Sequence, residues 1–471
     1  MKKRIWFIII ISALIMFNDK SYAAMPIKYS SVNYGYVTKS KNQGNTGTCV
    51  SFSSISAIET SLIKKGMAKN NIDLSEYQLA YLAHTFETNH FYNANNTSFN
   101  KNTFLTKGTN NEVINLLLSN NMDITKEQIL SQKLFKTKIK PTKSQLNSGN
   151  VTIENSYRFE SSKSKIKENI MKYGSIVTSY YSQKEYYNSN KSTYNLTSSR
   201  YKDTNHAIVI VGWDDNYSKN NFKYRPRNNG AWLVKNSWGT ACGNKGYFWI
   251  SYESKNMDSN SHIYDAVIDK KTYNRYEYDY SNEKLNVWGT QYQMNVFIPK
   301  NHETLSEVMF FTAGEDVTYE IYFYRGKFIK CKDMSKLTLL KKGKVKYEGY
   351  NTVKLDKQVL LYKNEPISII LSLKDKEGHS SAAVVDPNAY KYNKKFKSET
   401  SYIKYKDWED QYLKGRCCKI KIATKRSIDF KFNKTSPCNV YNNITITPSV
   451  DKLITKKSYC YQIYNSKGKT E

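Results

Sequence analysis

A thiol at Cys49, an imidazole at His206 and a carboxamide at Asn236 are the residues whose chemistry could combine into one reaction centre. A thiol attacks as its thiolate, and a neighbouring imidazole or a helix N-terminus lowers the cost of that anion. The run Gln43-Gly44-Asn45-Thr46-Gly47-Thr48 is turn-rich. Cys49, Phe52, Ile55, Ile58 and Leu62 follow at helical spacing and close at Lys64-Lys65-Gly66. This places Cys49 at or near a helix N-terminus. His206 enters the apolar strand Ala207–Val211, and Asn236 ends the strand Ala231–Lys235. A His and an Asn at adjacent strand ends can meet. The amide then fixes the ring tautomer that leaves the other nitrogen facing sulfur.

The elements that must position these groups form two patterns. Helical spacing recurs over about Ser75 to His84, with Ser75 as N-cap, over Asn111 to Ser119, and over Lys163 to Tyr173 before Gly174. Strands follow at Ile176–Tyr181, Ala207–Val211, Ala231–Lys235 and Tyr247–Tyr252. Helices first and strands second imply an α+β domain over about 24–270, with a helical half and a β half. From about 273 to 425 the chain is strand-like, as at Gln293–Ile298, Tyr319–Tyr324, Tyr347–Leu355 and Ile367–Leu373, and reads as a β-sandwich. Residues 426–471 carry two further β-patterns, Ile428–Phe432 and Tyr459–Tyr464, as a partial β-module.

Residues 1–23 read as a secretory signal peptide. Lys2, Lys3 and Arg4 precede the apolar run Trp6–Phe17, and Ser21-Tyr22-Ala23 is a small-residue cleavage site. That run falls short of the ~20 apolar residues that span a bilayer, so membrane contact is expected only before cleavage. The chain carries +31 formal charge, of which +3 lies in residues 1–23. A mature chain at this charge is soluble and attracted to polyanions such as anionic wall polymers. The basic residues are scattered and form no nucleic-acid motif, so no nucleic-acid partner is expected. Seven cysteines leave at least one thiol unpaired, and Cys49 supplies a reason for one. Cys331 pairing with Cys417 or Cys418, and Cys438 with Cys460, are the candidate bridges; Cys242 has no evident partner and reads as structural. His84, Glu87 and His90 do not make a known zinc spacing, and no metal site is expected.

Three segments in order resemble the papain family of cysteine peptidases: Gln43-Gly44 before Gly47-Thr48-Cys49; Asn205-His206-Ala207 with Val211-Gly212-Trp213; and Asn236-Ser237-Trp238-Gly239 before Gly243-Asn244-Lys245-Gly246-Tyr247-Phe248. The resemblance implies a two-lobed fold and the following roles. Cys49 is the nucleophile, His206 the base and Asn236 the orienting amide. Gln43 is the oxyanion donor beside the Cys49 N–H. Trp238 shields the Asn–His bond, and Gly108 lines the non-prime cleft. The family cysteine that forms a disulfide near the nucleophile is here Thr46; Thr48 replaces a small residue and Val50 an aromatic one. Cleavage after Ala23 leaves 25 residues before Cys49, the start of a mature domain with almost no propeptide.

The segment 273–425 resembles the lectin-like domain behind papain-type domains in clostridial surface proteins, on Val308-Met309-Phe310-Phe311-Thr312, Tyr319-Glu320-Ile321-Tyr322, Pro366–Ile370 and Cys418–Lys421. The tail around Ser436-Pro437 and Ile444–Ile446 resembles the opening of an immunoglobulin-like repeat. Some lectin-like domains carry calcium, though no ligand cluster in this sequence demands it, and the peptidase chemistry needs no cofactor. The expected activity is hydrolysis of peptide bonds in extracellular or cell-surface proteins, with the β-domain attaching the enzyme to a surface or substrate. The alternatives are an adhesin on an inactive papain scaffold and a wall-peptide hydrolase or transpeptidase using the same three residues.

Overall fold

A computed structural model describes residues 25–89, 108–119, 123–137, 139–201, 203–268, 273–279, 284–388, 396–426, 429–432 and 446–449. The helix Cys49–Lys64 is central, with Val50 through Ile63 all buried. Its many hydroxyl residues tolerate this because some bond the helix's own carbonyls: Ser53 Oγ to Val50 O at 3.0 Å and Thr60 Oγ1 to Ser56 O at 2.8 Å. The helix Glu76–Asn89 packs beside it and starts at the expected cap, where Gln78 N donates to Ser75 Oγ at 2.9 Å. The short helix Asn111–Ser119 completes the helical side. Ile55, Ile58, Leu62, Tyr77, Tyr81, Ile114 and Leu117 form its core.

The strand half opens with Ile176–Tyr180, His206–Asp214, Ala231–Lys235 and Tyr247–Ser251, hydrogen-bonded in that order and antiparallel. His206–Asp214 is longer than the apolar pattern because its edge residues join the ladder. Two strands carry no mark in the hydrophobic periodicity: Val151–Glu160 and Asn260–Ile268, which pair with each other and extend the sheet beyond Ile176–Tyr180. Their buried rows mix Thr152, Ser156, Ser261, His262 and Asp265 with the apolar residues, which erases the period-2 signal.

The C-terminal domain is the expected β-sandwich. One layer holds Thr338–Val345, Val317–Arg325, Ile367–Lys374, Tyr292–Phe297, Ser401–Lys404 and Trp408–Asp410 in that order. Val317, Tyr319, Ile321 and Phe323 alternate inward beside Ile369 and Leu371 of the next strand, against Phe310 and Ile422 of the other layer. The other layer, built on Glu303–Thr312, Glu348–Leu361 and Ile420–Arg426, does not end at the domain. Glu348, Gly349 and Tyr350 pair with Arg158, Tyr157 and Ser156, so one sheet runs through both domains. Tyr347 packs on Phe159 at 5.3 Å between ring centres, and its hydroxyl accepts from Asn169 Nδ2 at 3.1 Å. Lys165–Glu315 at 2.7 Å and Lys346–Glu168 at 2.5 Å flank the seam.

The expected disulfide between Cys331 and Cys417 or Cys418 does not form. All three are free thiols; Cys417 and Cys418 are fully buried in the sandwich, where they pack as small apolar side chains. Cys438 and Cys460 lie outside the described residues. Of the two tail patterns, Asp429–Phe432 is a strand, paired with Ile446–Ser449, and Tyr459–Tyr464 lies outside the described residues.

Gly349 is the tightest point of the inter-domain seam. Its φ is +139°, and an added Cβ would lie 2.2 Å from Ser156 O. Gly349→Ala is therefore expected to cost at least ~1 kcal/mol and to uncouple the two domains. Calorimetry should show a lowered melting transition that splits in two; an unchanged single transition would show the seam is not structural.

Candidate functional site

The structure brings Cys49, His206 and Gly108 to one cleft of about 720 Å³. Cys49 opens its helix. Thr48, the cap residue, makes no side-chain cap bond; its hydroxyl pairs instead with Thr46 Oγ1 at 2.6 Å. The Thr48 side chain therefore leaves the first-turn amides free to face an anion. Thr46 Oγ1 also bonds Gln43 O at 2.8 Å. Hydrogen bonds thus hold this turn where the family has a disulfide.

His206 Nε2 lies 2.8 Å from Asn236 Oδ1, which also accepts from Ser237 N at 2.8 Å. Asn236 offers oxygen here, so Nε2 carries the proton and Nδ1 is left with its lone pair. The Trp238 ring, 39% exposed, lies 4.7 Å from the imidazole ring, tilted by 30°. Tyr180 meets the imidazole edge-on at 5.9 Å. Gln43 is buried with its amide oriented: Oε1 accepts from Ser237 Oγ at 2.6 Å and Nε2 donates to Thr46 O at 2.6 Å. An amide nitrogen has two protons, so one N–H of Gln43 remains for a ligand. Gly108 keeps the cleft wall open; a Cβ there would stand 3.3 Å from Gly47 O.

Burial pushes the Cys49 thiol above its ordinary value, against the backbone amides of Ala207 and Val50. Burial also lowers His206 to about 4, against the Asn236 hydrogen bond. Each group is thus disfavoured as a lone ion. Opposite charges formed on the two groups together would attract in a dry site and offset the burial.

Behind Asn236 lies a buried charge network that residue spacing did not reveal. Lys235 Nζ donates to Thr38 Oγ1 at 3.0 Å and Ser56 Oγ at 2.8 Å. Thr38 Oγ1 donates to Glu59 Oε2 at 2.7 Å, and Glu59 Oε1 takes Leu74 N at 2.9 Å. Lys41 Nζ reaches Glu59 at 3.2 Å, Glu76 at 2.7 Å and Asp73 at 2.6 Å. Burial lowers Lys235 to about 8, while Glu59 and Glu76 outweigh burial at Lys41 and hold it above its ordinary value. The network ties the Cys49 helix to the strand Ala231–Lys235, which Asn236 directly follows.

On the Trp238 side of the imidazole is a second recess, about 240 Å³, walled by Tyr180, Tyr187, Phe248 and Cys242. Cys242, read as structural from sequence, is a free, partly buried thiol there. Among the described residues no group of three His, Cys, Asp or Glu could hold a metal. His84 is buried, and His90 lies outside the described residues.

A thiol at a helix N-terminus and an imidazole oriented by an amide, both on one cleft, can perform acyl transfer through a thioester, the chemistry of a cysteine peptidase. The chain belongs to the papain family of cysteine proteases, which residues 25–268 match; residues 276–423 match the lectin-like domain. Its fold is similar to the crystal structure of the cysteine protease and lectin-like domains of Cwp84, a surface layer associated protein of Clostridium difficile. The TM-score is 0.70 at 28% identity, over 85% of this chain and 89% of that one. A second structure of the clostridial cysteine protease Cwp84, a cysteine-to-alanine variant after propeptide cleavage, gives 0.69 at 28%, over 85% and 99%. The senescence-specific cysteine protease SAG12 of Arabidopsis thaliana is 25% identical over 263 residues, 51% of this chain and 60% of that protein. Cysteine proteinase 3 of Entamoeba histolytica is 40% identical over 53 residues, 11% and 14%. The chain thus matches less than two thirds of the length of either curated relative. Papain-type proteases need no cofactor.

His262, buried beside the cleft, sets an acid limit on the fold. Burial, with the Arg158 and Lys284 charges, lowers it to about 3. Between pH 3 and 6.5 the unfolded chain binds the proton and the folded chain does not, so stability falls as pH drops through that window. Urea unfolding is expected to show about 2 kcal/mol of this loss between pH 7 and 5. His262→Asn, which does not titrate, should remove that part of the slope; an unchanged slope would assign the acid loss to other groups.

Proposed function

We propose that this chain is a secreted cysteine endopeptidase that hydrolyses peptide bonds of extracellular or cell-surface proteins, with Cys49 as nucleophile, His206 as base and acid, Asn236 as the orienting amide and Gln43 as oxyanion donor. The observation that carries it is the 2.8 Å bond between His206 Nε2 and Asn236 Oδ1, with His206 lining the same cleft as Cys49. Cys49 Sγ gives its proton to Nδ1 and adds to the substrate carbonyl carbon. The oxyanion is received by the Cys49 N–H and the free N–H of Gln43. Collapse breaks the C–N bond, the proton on Nδ1 passes to the departing amine, and a thioester remains. Water then gives its proton to Nδ1 and adds to the thioester, releasing the acid and the thiolate.

Location is supported by the signal-peptide pattern of residues 1–23 and by likeness to a surface layer associated protein. The net charge of +31 supports attraction to anionic wall polymers. The lectin-like domain would then attach the protease to a surface or substrate.

A neutral epoxide inhibitor of papain-type enzymes, with adducts read by mass spectrometry, tests the nucleophile. Labelling is expected on Cys49 and not on Cys242 or Cys331, with a plateau reaching below neutral pH. In His206→Ala the Cys49 rate at pH 7 should fall roughly 100-fold and climb only above the ordinary thiol range, because burial raises this thiol. Equal labelling of the three thiols would sink the proposal.

The oxyanion role predicts a hierarchy. Gln43→Ala should lower kcat by roughly 100-fold with KM little changed. Ser237→Ala, which frees the Gln43 amide, should cost roughly tenfold. The double variant should be no worse than Gln43→Ala alone. Additive losses would show that Ser237 acts elsewhere.

A further inference from the structure

The helix Asn111–Ser119 is held from two sides by two domains. Ile114, Leu117 and Leu118 turn into the protease core. Glu112 and Leu116, four residues apart and so on one helix face, turn to the lectin-like domain. Leu116 is buried among Met309, Phe311, Tyr350, Val384 and Ala423 of that domain. Glu112 Oε1 lies 2.7 Å from Lys284 Nζ, and Lys284 also donates to Glu348 Oε1 at 2.8 Å. Burial opposes the Lys284 charge, but the Glu112 and Glu348 carboxylates outweigh it and hold the ammonium above its ordinary value. Lys284 Nζ also stands 5.3 Å from the centre of the Phe311 ring, so the ion pair abuts the apolar seat of Leu116.

The same helix begins at the substrate cleft. Gly108, Thr109, Asn110 and Glu112 line that cleft with Cys49 and His206. Val113 N donates to Asn110 Oδ1 at 2.8 Å, which ties the preceding loop to the first turn. A Cβ at Gly108 would stand 3.3 Å from Gly47 O, so this loop abuts the turn that leads into Cys49. A helix of 9 residues is too short to hold itself in place without packing. Part of that packing comes from the lectin-like domain. A displaced helix start would carry the cleft wall with it, while the His206–Asn236 bond, built on the strands, would stay.

Resting on the cysteine peptidase reading, we propose that the lectin-like domain positions the wall of the substrate cleft. Lys284, through Glu112, and the seat of Leu116 fix the helix whose leading loop is that wall, so substrate affinity depends on the second domain while the chemistry of Cys49 and His206 does not.

Steady-state cleavage of a peptide by the full chain reads this as a split between KM and kcat. Leu116→Ala, at a position that does not line the cleft, and Lys284→Met are each expected to raise KM roughly fivefold or more with kcat unchanged. Lys284→Arg, which keeps the charge, should retain most of the wild-type KM. Lys346→Met, which breaks the exposed Lys346–Glu168 pair elsewhere on the seam, should leave KM unchanged. Iodoacetamide, too small to need the wall, should alkylate Cys49 at one rate in wild type and all these variants. Thermal melting confirms that each variant is folded at the assay temperature. An unchanged KM in either Leu116→Ala or Lys284→Met would overturn the proposal. So would an equal rise in Lys346→Met, or a loss of alkylation rate that matches the loss of activity, since either marks a general loosening of the fold. Binding of the same peptide in a Cys49→Ala background, followed by fluorescence anisotropy, separates this from the peptidase reading. If wild type cleaves nothing but Leu116→Ala weakens peptide binding in that background, the peptidase reading fails and the positioning stands. Equal binding with and without Leu116→Ala overturns the positioning.

Discussion

The contact between His206 Nε2 and Asn236 Oδ1 is the constraint around which the protease domain is arranged. His206 opens one of two neighbouring antiparallel strands and Asn236 directly follows the other, in a register where Val209 faces Lys235. A shift of one residue would turn Asn236 to the opposite face and leave the imidazole free to rotate. The register is therefore fixed from several sides. The apolar rows of both strands pack into the two cores flanking the sheet. Ser40 Oγ bonds the Asn236 carbonyl at 2.6 Å, and Gly246 O accepts its N–H at 2.9 Å. The Trp238 ring packs on the imidazole.

Holding that contact dry has an electrostatic cost. The site is deep enough that burial opposes both a lone thiolate at Cys49 and a lone imidazolium at His206. The same applies to Lys235 next to Asn236, which survives there because two hydroxyls and, through Thr38, the Glu59 carboxylate surround it. A buried ion network of this kind is poor evidence for stability. Its value is geometric: Lys41, Glu59, Glu76 and Lys235 join two helices to the strand carrying Asn236, so the helix bearing Cys49 and the strand bearing Asn236 cannot drift apart independently.

The lectin-like domain is more than an appended module. Its sheet is continuous with that of the protease domain through Glu348–Tyr350, and its Lys284 reaches the protease cleft. Tyr347 enters a core cluster of the protease domain. A domain joined by backbone ladder, aromatic packing and ion pairs at once is held in one orientation. Whatever surface it contacts is then presented at a fixed angle to the substrate cleft.

The papain-type class and most of the elements were legible in the order of residues alone. Cys49, His206, Asn236 and Gln43 stand in motifs whose local strand, turn and helix signals are strong, because apolar periodicity and glycine-rich turns are properties of short windows. The order of helices and strands was readable for the same reason. Contacts between distant segments settled the rest. Val151–Glu160 and Asn260–Ile268 are strands by virtue of their neighbours, with serines, His262 and Asp265 in buried rows where alternation would demand apolar residues. The free thiols Cys331, Cys417 and Cys418 could not be separated from bridged ones by counting, since pairing depends on distance in space. Arg158, His262 and Lys284 are far apart in the chain and meet only where two domains share a sheet, so no sequence window contains the side of the cleft they line.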